Sequence, residues 1–289
     1  MTNHTSQARA RVPRRSWTQM VGPREAREYL DRSAGNRNIR PSHVAALART
    51  MASGGWGDSN DRIALSWDGT LLNGHHRLTA IISSGCTVSL DFVEGIDPAS
   101  FGHMDRGMIR THSDVIALAG YKSSKQMAAI AGGVWRLENG LRLDLTSSTG
   151  ATSDEMLDVL ARHPGIHGSV LAASRVKHVI ANSTFGVLHY AVCRTMPEKI
   201  EEFTSILETG LVPGGANGNP AHVFRERVIR DNIGSTGAAG RGRITRAAVR
   251  AWNMFARGER CVIFKMDLPG VLKMPDIIGN DIRPIRTQD

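Results

Sequence analysis

The chain has 289 residues, of which 41% are hydrophobic and 22% charged, a composition typical of a folded globular protein rather than a disordered one. This length accommodates one large domain or two ordinary ones. No apolar run approaches the roughly 18 residues of a membrane-spanning helix, and no secretory signal is evident, so we expect a cytoplasmic protein with no membrane partner. The 36 basic and 27 acidic residues leave a net charge of +9, which favours a polyanionic partner such as nucleic acid.

The metal-binding residue types are scattered. Cys86, Cys193 and Cys261 lie far apart, which predicts neither a disulfide framework nor a cysteine-based zinc site. His163 and His167 are separated by a Pro-Gly pair, so they cannot share a helical face as a zinc-binding pair would. We therefore expect no metal site.

The N-terminal part begins with a polar segment and then a helix. Residues 1–16 predict a disordered basic tail, because they carry several arginines, no acid and no apolar periodicity. A domain is expected over residues 17–120. Its first clear element is a helix over residues 41–55, with Ser42 as the N-cap and an apolar face at helical spacing. That face consists of Val44, Leu47, Ala48 and Met51.

A mixed α/β pattern follows this helix. Residues 63–67 alternate between larger apolar and smaller or polar side chains, as a strand does, and Asp68-Gly69 is a tight-hairpin signal. A short returning strand ends at Gly74, a helix runs to Gly85, and a second alternating strand begins at residue 87. Residues 39–95 therefore predict helix, strand, turn, short strand, helix and strand.

The remainder, residues 121–289, predicts an all-helical domain. Thr152 and Glu155 have the form of a capping box at the start of one helix. Two glycine-rich stretches, 210–219 and 234–242, are expected to be loops, the second of them mobile. The fold class is therefore α+β, a small α/β N-terminal domain followed by a helical C-terminal region. Helical patterns cover residues 113–119, 122–138, 153–163, 166–178, 183–195, 197–209, 220–233 and 245–257.

The start of the helix after Gly74 has the chemistry of an anion site. Glycine lets the backbone approach a ligand closely, and a helix N-terminus offers unpaired N–H groups at the positive end of its dipole. His75 and His76 add donors, and the Arg77 guanidinium can grip an oxyanion at two points, so we expect it to point towards solvent or ligand. These features predict a phosphate site. The alternative is a strand-to-helix turn with surface histidines.

The run NGHHRL at residues 73–78 resembles the phosphate motif of the ParB/sulfiredoxin-like superfamily. ParB-type partition proteins carry a glycine–acid–arginine–arginine stretch at this point, sulfiredoxins carry Gly-Cys-His-Arg, and free-serine kinases carry Gly-His-His-Arg. The run is most similar to phage and actinobacterial proteins labelled "ParB-like nuclease domain", which more often have glutamine at the position of His75. The resemblance covers about residues 36–120 and includes Trp56 and Asp68-Gly69 before the run, and Asp105-Arg106-Gly107 and Arg110-Thr111 after it.

This resemblance implies a pocket that holds nucleotide phosphates at the helix N-terminus. The expected cofactor is a nucleoside triphosphate or diphosphate, ATP, ADP or CTP, with or without Mg²⁺. The motif lacks a cysteine, which argues against sulfiredoxin chemistry, and His-Arg replaces the paired arginines of partition proteins, which leaves the nucleotide open. The residues expected to bind phosphate or nucleotide are Gly74, His75, His76, Arg77, Arg106, Arg110 and Thr111.

The sequence leaves open whether this pocket supports turnover. Our first interpretation is a nucleotide-binding, DNA-associated protein of a phage or mobile element. The alternative is an enzyme that uses the same pocket, either an ATP- or ADP-dependent kinase-like phosphotransferase or a metal-assisted nuclease. His76, Asp68 and Asp105 are the catalytic candidates, although aspartate is also a common turn former, which favours a turn role for Asp68. A homo-oligomer is left open.

An arginine-rich helix over residues 245–257 predicts a DNA-binding surface. Its arginines recur at spacings of three, four and seven and form one basic stripe, with Ala248, Trp252 and Phe255 anchoring the opposite side. Such a stripe would contact phosphates with little sequence preference; the alternative is a solvated helix face. The residues expected to bind DNA are Arg243, Arg246, Arg250 and Arg257.

Overall fold

The computed structural model of the chain describes residues 12–33, 39–57, 61–98, 111–144, 150–231, 237–267 and 274–284. These residues form eleven helices and one four-stranded sheet, a mixed α/β structure. Internal contacts divide the chain into an N-terminal unit, residues 1–109 with 148–150, and a C-terminal unit, residues 110–147 with 151–289. The division falls near residue 110, about ten residues before the expected boundary at 120. No helix in the described ranges is long and apolar enough to cross a membrane.

The N-terminal unit contains all four strands and three helices. The order predicted for residues 39–95 is confirmed. In the sheet, the strands lie in the order β1-β4-β2-β3, with β4 antiparallel to β1 and parallel to β2, and β2 antiparallel to β3. The elements are β1 (Arg15–Val21), α1 (Pro23–Leu30), α2 (Pro41–Ala52), β2 (Ile63–Ser66), β3 (Leu71–Asn73), α3 (His75–Ser84) and β4 (Val88–Ile96).

Three details of this unit differ from the sequence prediction. Ser42 is not the N-cap of α2: Arg40 is, because proline suits the first helical position, where its fixed φ is pre-set and its missing N–H costs nothing. The helix also ends at Ala52 rather than at residue 55. All four residues of β2 are buried, so this strand lacks the half-exposed alternation that the sequence indicated.

Strand β1 and helix α1 were not predicted. Arg15 and Ser16, assigned by sequence to the disordered tail, belong to β1, while residues 1–11 lie outside the described ranges. The antiparallel register places Trp17 opposite Phe92, and their rings stack with centroids 5.1 Å apart. Cross-strand pairs of this kind are the main stabilising unit of a sheet. On the other face, the Thr18 hydroxyl donates to Asp91 across the same strand pair at 2.6 Å.

The core of the N-terminal unit forms where the helices cover one face of the sheet. Helix α3 packs against both α1 and α2, and its Leu78 and Ile81 are fully buried. Phe92 of β4 is also fully buried, and the Tyr29 ring of α1 lies 4.8 Å from it, centroid to centroid. The predicted apolar face of α2 is confirmed, because Val44 and Met51 are buried in the same cluster. The start of α3 is thereby fixed from several sides.

The C-terminal unit is helical in the residues that the structure describes. The Thr152–Glu155 capping box is confirmed, since each residue bonds the backbone N–H of the other. Cys86 of the other unit and the two cysteines here are free thiols. The helices are α4 (His112–Leu118), α5 (Ser124–Glu138), α6 (Ser153–Arg162), α7 (Ile166–Arg175), α8 (Asn182–Val192), α9 (Pro197–Thr209), α10 (Pro220–Arg230) and α11 (Gly237–Ala256).

Helix α8 is the central element of this unit and crosses α5 at a pair of glycines. It packs against α5, α7, α9 and α11. A Cβ atom at Gly186 of α8 would overlap Ile130 of α5, and one at Gly133 of α5 would overlap Val187 of α8. Each helix therefore inserts a branched side chain where its partner has none. This reciprocal fit brings the two backbones close together, as small residues do at tight helix crossings.

Helix α11 begins earlier than predicted. It starts at Gly237 rather than near 245, so the expectation of a mobile stretch over 234–242 is wrong for residues 237–242, and residues 234–236 lie outside the described ranges. A Cβ at Gly242 would overlap the backbone carbonyl of Asp144, so this glycine permits a close approach rather than a loop. The expected anchoring side of the helix is confirmed for Ala248 and Trp252, both of which are buried.

Substitution of Gly186 tests the helix crossing. Gly186→Ala should destabilise the protein by about 1–3 kcal/mol, because the new methyl group overlaps Ile130 in a fully packed region. Gly168→Ala is the matched control, since it also lies inside a helix, α7, but its Cβ would meet no atom within 4 Å. The control should be neutral or stabilising by up to about 1 kcal/mol through helix propensity. Thermal and urea unfolding of both variants would measure the difference, and equal stabilities would contradict the tight crossing.

Candidate functional site

The predicted anion site is built on the junction between β3 and α3. Gly74 is the N-cap of α3 and has a left-handed backbone with φ of 115°. A Cβ at this position would overlap Ile63 of the neighbouring strand β2. Both the backbone conformation and the contact therefore require glycine. The chain can thus turn from strand to helix within one residue, close against the sheet.

His75 points into the protein rather than to the surface. Only 7% of the residue is exposed, and its Nε2 lies 2.6 Å from the Ser33 hydroxyl, just beyond the end of α1. Its backbone carbonyl accepts from the Thr79 hydroxyl at 2.7 Å, one turn along α3. The interpretation of both histidines as surface residues is therefore wrong for His75.

His76 joins the start of α3 to the start of α2. The backbone N–H of Arg40, the N-cap of α2, donates to His76 Nε2 at 3.0 Å. Because Nε2 accepts this hydrogen bond, a neutral His76 carries its proton on Nδ1. The His43 ring of α2 lies edge-on to the His76 ring at 5.1 Å. Burial, assisted by the charge of Arg40, lowers the pKa of His43 below its ordinary value.

Arg77 is half-buried, and backbone carbonyls hold its guanidinium. Its two terminal nitrogens donate to the carbonyls of Asp61 and Arg62, the second at 3.1 Å. These residues directly precede β2, so the guanidinium fixes the entry of the chain into that strand. The positive charge of Arg77 nevertheless remains within the first turn of α3.

The starts of α2 and α3 together make this region electropositive. Neither N-cap residue, Arg40 or Gly74, supplies a side-chain cap, and neither helix carries an acid in its first turn. The hydrogen bond between Arg40 and His76 brings the two helix N-termini side by side. Each N-terminus carries the equivalent of roughly half a positive charge. Two helix starts and the Arg77 guanidinium therefore favour an anion at this place.

The other predicted site residues of this unit have different positions. Asp68 accepts from the Ser66 hydroxyl and from the Thr70 N–H at 3.1 Å, and these hydrogen bonds, that from Ser66 foremost, lower its pKa. Asp68 thus closes the turn between β2 and β3. Thr111 caps α4 in the C-terminal unit, where its hydroxyl accepts from the Asp114 N–H at 3.3 Å. Asp105, Arg106 and Arg110 lie outside the described residues.

The four arginines proposed to bind DNA all have partners inside the C-terminal unit. Arg243 pairs with Asp267 at 2.7 Å, and Arg257, just after the end of α11, lies 3.4 Å from Glu259. These two are the more exposed, with 44% and 58% of the side chain accessible. Arg246 pairs at 2.7 Å with Asp144, whose side chain is fully buried.

Arg250 is bound to backbone carbonyls rather than exposed on a stripe. It donates to the carbonyls of Lys265 and Met266 and lies over the Phe264 ring, 5.1 Å from its centroid. Burial lowers the pKa of Arg250. An open groove of about 520 Å³ runs beside it, lined also by Asn253, Arg257 and the segment 275–278. The predicted stripe thus consists of two half-buried structural arginines and two exposed ones.

Sequence reasoning missed a buried polar cluster in the C-terminal unit. Glu138, only 3% exposed, accepts from His163 Nε2 at 2.8 Å and pairs with Arg162. His163 Nδ1 lies 2.8 Å from the Tyr190 hydroxyl. These contacts link the ends of α5 and α6 to α8. The adjacent Arg162 and His163 at the end of α6 could have suggested a polar cluster. Their carboxylate partner could not be identified from the sequence, because it lies 24 residues from Arg162.

Comparison of this chain with protein-family models, with curated proteins and with solved structures gave no match. Within the described ranges, no group of three or more His, Cys, Asp and Glu side chains is arranged to hold a metal ion. The geometry and charge of the site itself are therefore the basis for a functional proposal.

The Asp144 cluster predicts a pH-dependent stability. Burial alone raises the pKa of Asp144, but hydrogen bonds from Arg142 and Arg246 outweigh burial and hold it below its ordinary value of 3.8. A carboxylate with a lowered folded-state pKa stabilises the protein fully above that ordinary value, and the stabilisation is lost as the pH falls from it through the lower folded-state pKa. Arg246→Gln should therefore cost about 1.5–3 kcal/mol at pH 7. The cost should shrink at pH 3.

Urea unfolding at the two pH values measures this effect. Arg243→Gln is the control, because it removes the same charge from an exposed pair worth about 0–1 kcal/mol. A cost for Arg246→Gln that is equal at both pH values would show that Asp144 is not the partner that matters.

Proposed function

We propose that the N-terminal unit binds the phosphate of a nucleotide at the N-terminus of α3. The observation that carries this proposal is the pairing of two helix starts without side-chain caps, joined by the Arg40–His76 hydrogen bond and flanked by Arg77. Helix N-termini bind phosphate through their backbone N–H groups and their dipole. The anion would offset the concentrated positive charge.

The resemblance of the NGHHRL run to the ParB/sulfiredoxin-like superfamily supports the same proposal. We assign the N-terminal unit to that arrangement on two grounds, the strand–Gly74–helix junction and the order of elements over residues 39–95. In that superfamily the corresponding junction holds nucleotide phosphates. ATP, ADP and CTP, with or without Mg²⁺, are accordingly the ligands to test first.

Removal of the Arg77 charge tests the pocket. Arg77→Gln should weaken nucleotide binding about tenfold (roughly 1.4 kcal/mol), because it removes a positive charge from the first turn of α3, where the anion is proposed to bind. The glutamine amide keeps a donor for the carbonyls of Asp61 and Arg62, so the entry into β2 should survive. Isothermal titration with ATP, ADP and CTP, with and without Mg²⁺, measures the affinity, and circular dichroism checks the fold.

The matched control is Arg27→Gln on the exposed face of α1. It removes the same charge from an exposed position in the same unit and should leave the affinity within about twofold of the wild type. Equal affinities of the folded Arg77→Gln variant and the wild type would overturn the assignment of the pocket. So would a wild type that binds none of the three nucleotides.

DNA association is a second candidate function, favoured by the net charge of +9 and by the exposed Arg243 and Arg257. Exposed ion pairs contribute little to stability, so these two arginines can exchange Asp267 and Glu259 for DNA phosphates at small cost. Arg246 and Arg250 cannot do so without exposing Asp144 or breaking carbonyl contacts. Binding should be largely independent of sequence and should weaken steeply with salt.

The salt dependence of DNA binding distinguishes direct phosphate contacts of these arginines from a general effect of net charge. Replacing Arg243 and Arg257 with glutamine should reduce the magnitude of the slope of log K against log salt by about one to two units. Each phosphate contact made on binding releases counterions from the DNA, and the variant would make fewer such contacts. Fluorescence anisotropy with a DNA duplex over a range of salt concentrations gives the slope. The control is the double replacement of Arg24 and Arg27 on α1, which changes the net charge equally. A shared slope for both double variants would refute a specific role for these arginines, and absence of binding at about 50 mM salt would refute DNA association.

A further inference from the structure

Ser33 and His75 form a nucleophile–base pair at the proposed phosphate site. Their Oγ and Nε2 atoms lie 2.6 Å apart, within the range of a serine activated by a histidine. His75 is the first residue of α3, so the pair lies at the helix start that is proposed to hold the phosphate. The 7% exposure of His75 shields its ring from water, whereas Ser33 is only half-buried. The hydroxyl is thus the more accessible member of the pair.

We infer that Ser33 accepts a phosphoryl group from a nucleoside triphosphate, with His75 as general base. This inference rests on the proposed function, because the nucleotide must bind at the start of α3. With Nδ1 protonated, His75 Nε2 accepts the Ser33 hydroxyl proton. The Oγ atom forms a bond to the γ-phosphorus, the bond from that phosphorus to the β–γ bridging oxygen breaks, and the nucleoside diphosphate leaves with the electron pair. The products are phosphoserine 33 and the diphosphate, and the proton passes from His75 to solvent.

The surrounding charges suit this transfer. Phosphoryl transfer is accelerated by positioning and by positive charge around the transferred group. The start of α3 and the Arg77 guanidinium supply that charge, and Arg40 is close by through His76. Mg²⁺ would enter with the nucleotide, bound through its phosphates. The same cations would hold the phosphoserine product, since phosphate pairs strongly with arginine and with helix N-termini.

A purely structural role for the Ser33–His75 hydrogen bond leads to different predictions from a catalytic role. If the bond only ties the end of α1 to α3, glutamine at position 75 could replace it, because the glutamine amide can also bond the hydroxyl. Glutamine cannot accept the serine proton, however, so a general base would be lost. His75→Gln therefore separates the two roles.

The experiment uses the full chain with Mg²⁺ and ATP as the probe. Incubation followed by intact-mass and peptide mass spectrometry should find one added phosphoryl group on Ser33, with release of ADP. Ser33→Ala should abolish the modification and keep ATP binding within a few-fold of the wild type. At saturating ATP, His75→Gln should slow the modification by about 100-fold or more, the usual contribution of a general base. Ser53→Ala, at the exposed end of α2 where the hydroxyl bonds the Thr50 carbonyl, should behave as the wild type.

The outcomes separate this inference from the proposed function. A wild type that binds ATP but acquires no phosphate at Ser33 overturns the phosphoryl-transfer inference and leaves nucleotide binding intact. Equal modification rates in His75→Gln and the wild type overturn the role of His75 as base. Failure of the wild type to bind ATP in the parallel titration overturns both proposals.

Discussion

The contact between Gly74 and Ile63 is the constraint on which the N-terminal site depends. Because residue 74 has no side chain and a left-handed backbone, α3 begins directly after β3 and against β2. The next three residues then tie α3 to three different segments. His75 reaches the end of α1, His76 reaches the start of α2, and Arg77 holds the carbonyls before β2. A shift of the helix start would break all of these contacts together.

Many of the cations in this chain serve the architecture first. Arg246 neutralises a buried carboxylate, and Arg77 and Arg250 satisfy backbone carbonyls. The net charge of +9 is therefore a poor measure of the charge that is available to a polyanion. Exposure and the cost of releasing the present partner decide which arginines can contact phosphate, and both quantities come from the tertiary structure.

The accuracy of the sequence predictions follows from how local each signal is. Helix α9 was predicted at its observed bounds, because Pro197 starts it and Gly210 ends it. Strand β1 was not predicted, because its inward-facing positions include the polar residue Gln19. The alternation of apolar and polar residues that marks a strand is therefore interrupted there. The structure explains this residue: its amide oxygen accepts from the Trp17 indole and the Tyr29 hydroxyl, so the polar group is satisfied at a partly buried position. The sequence alone offers no means of pairing these groups.

The candidate site shows the same limit. The glycine and the basic residues after it predicted an anion site, since helix termini have fixed electrostatics whatever the fold. The orientation of His75 and the partners of Arg77 were not predictable, because Ser33 lies 42 residues away and the carbonyls lie 15 and 16 residues away. Likewise, Gly242 lies within a helix at a point where a Cβ would overlap the carbonyl of Asp144, and the sequence around residue 242 does not reveal that distant contact.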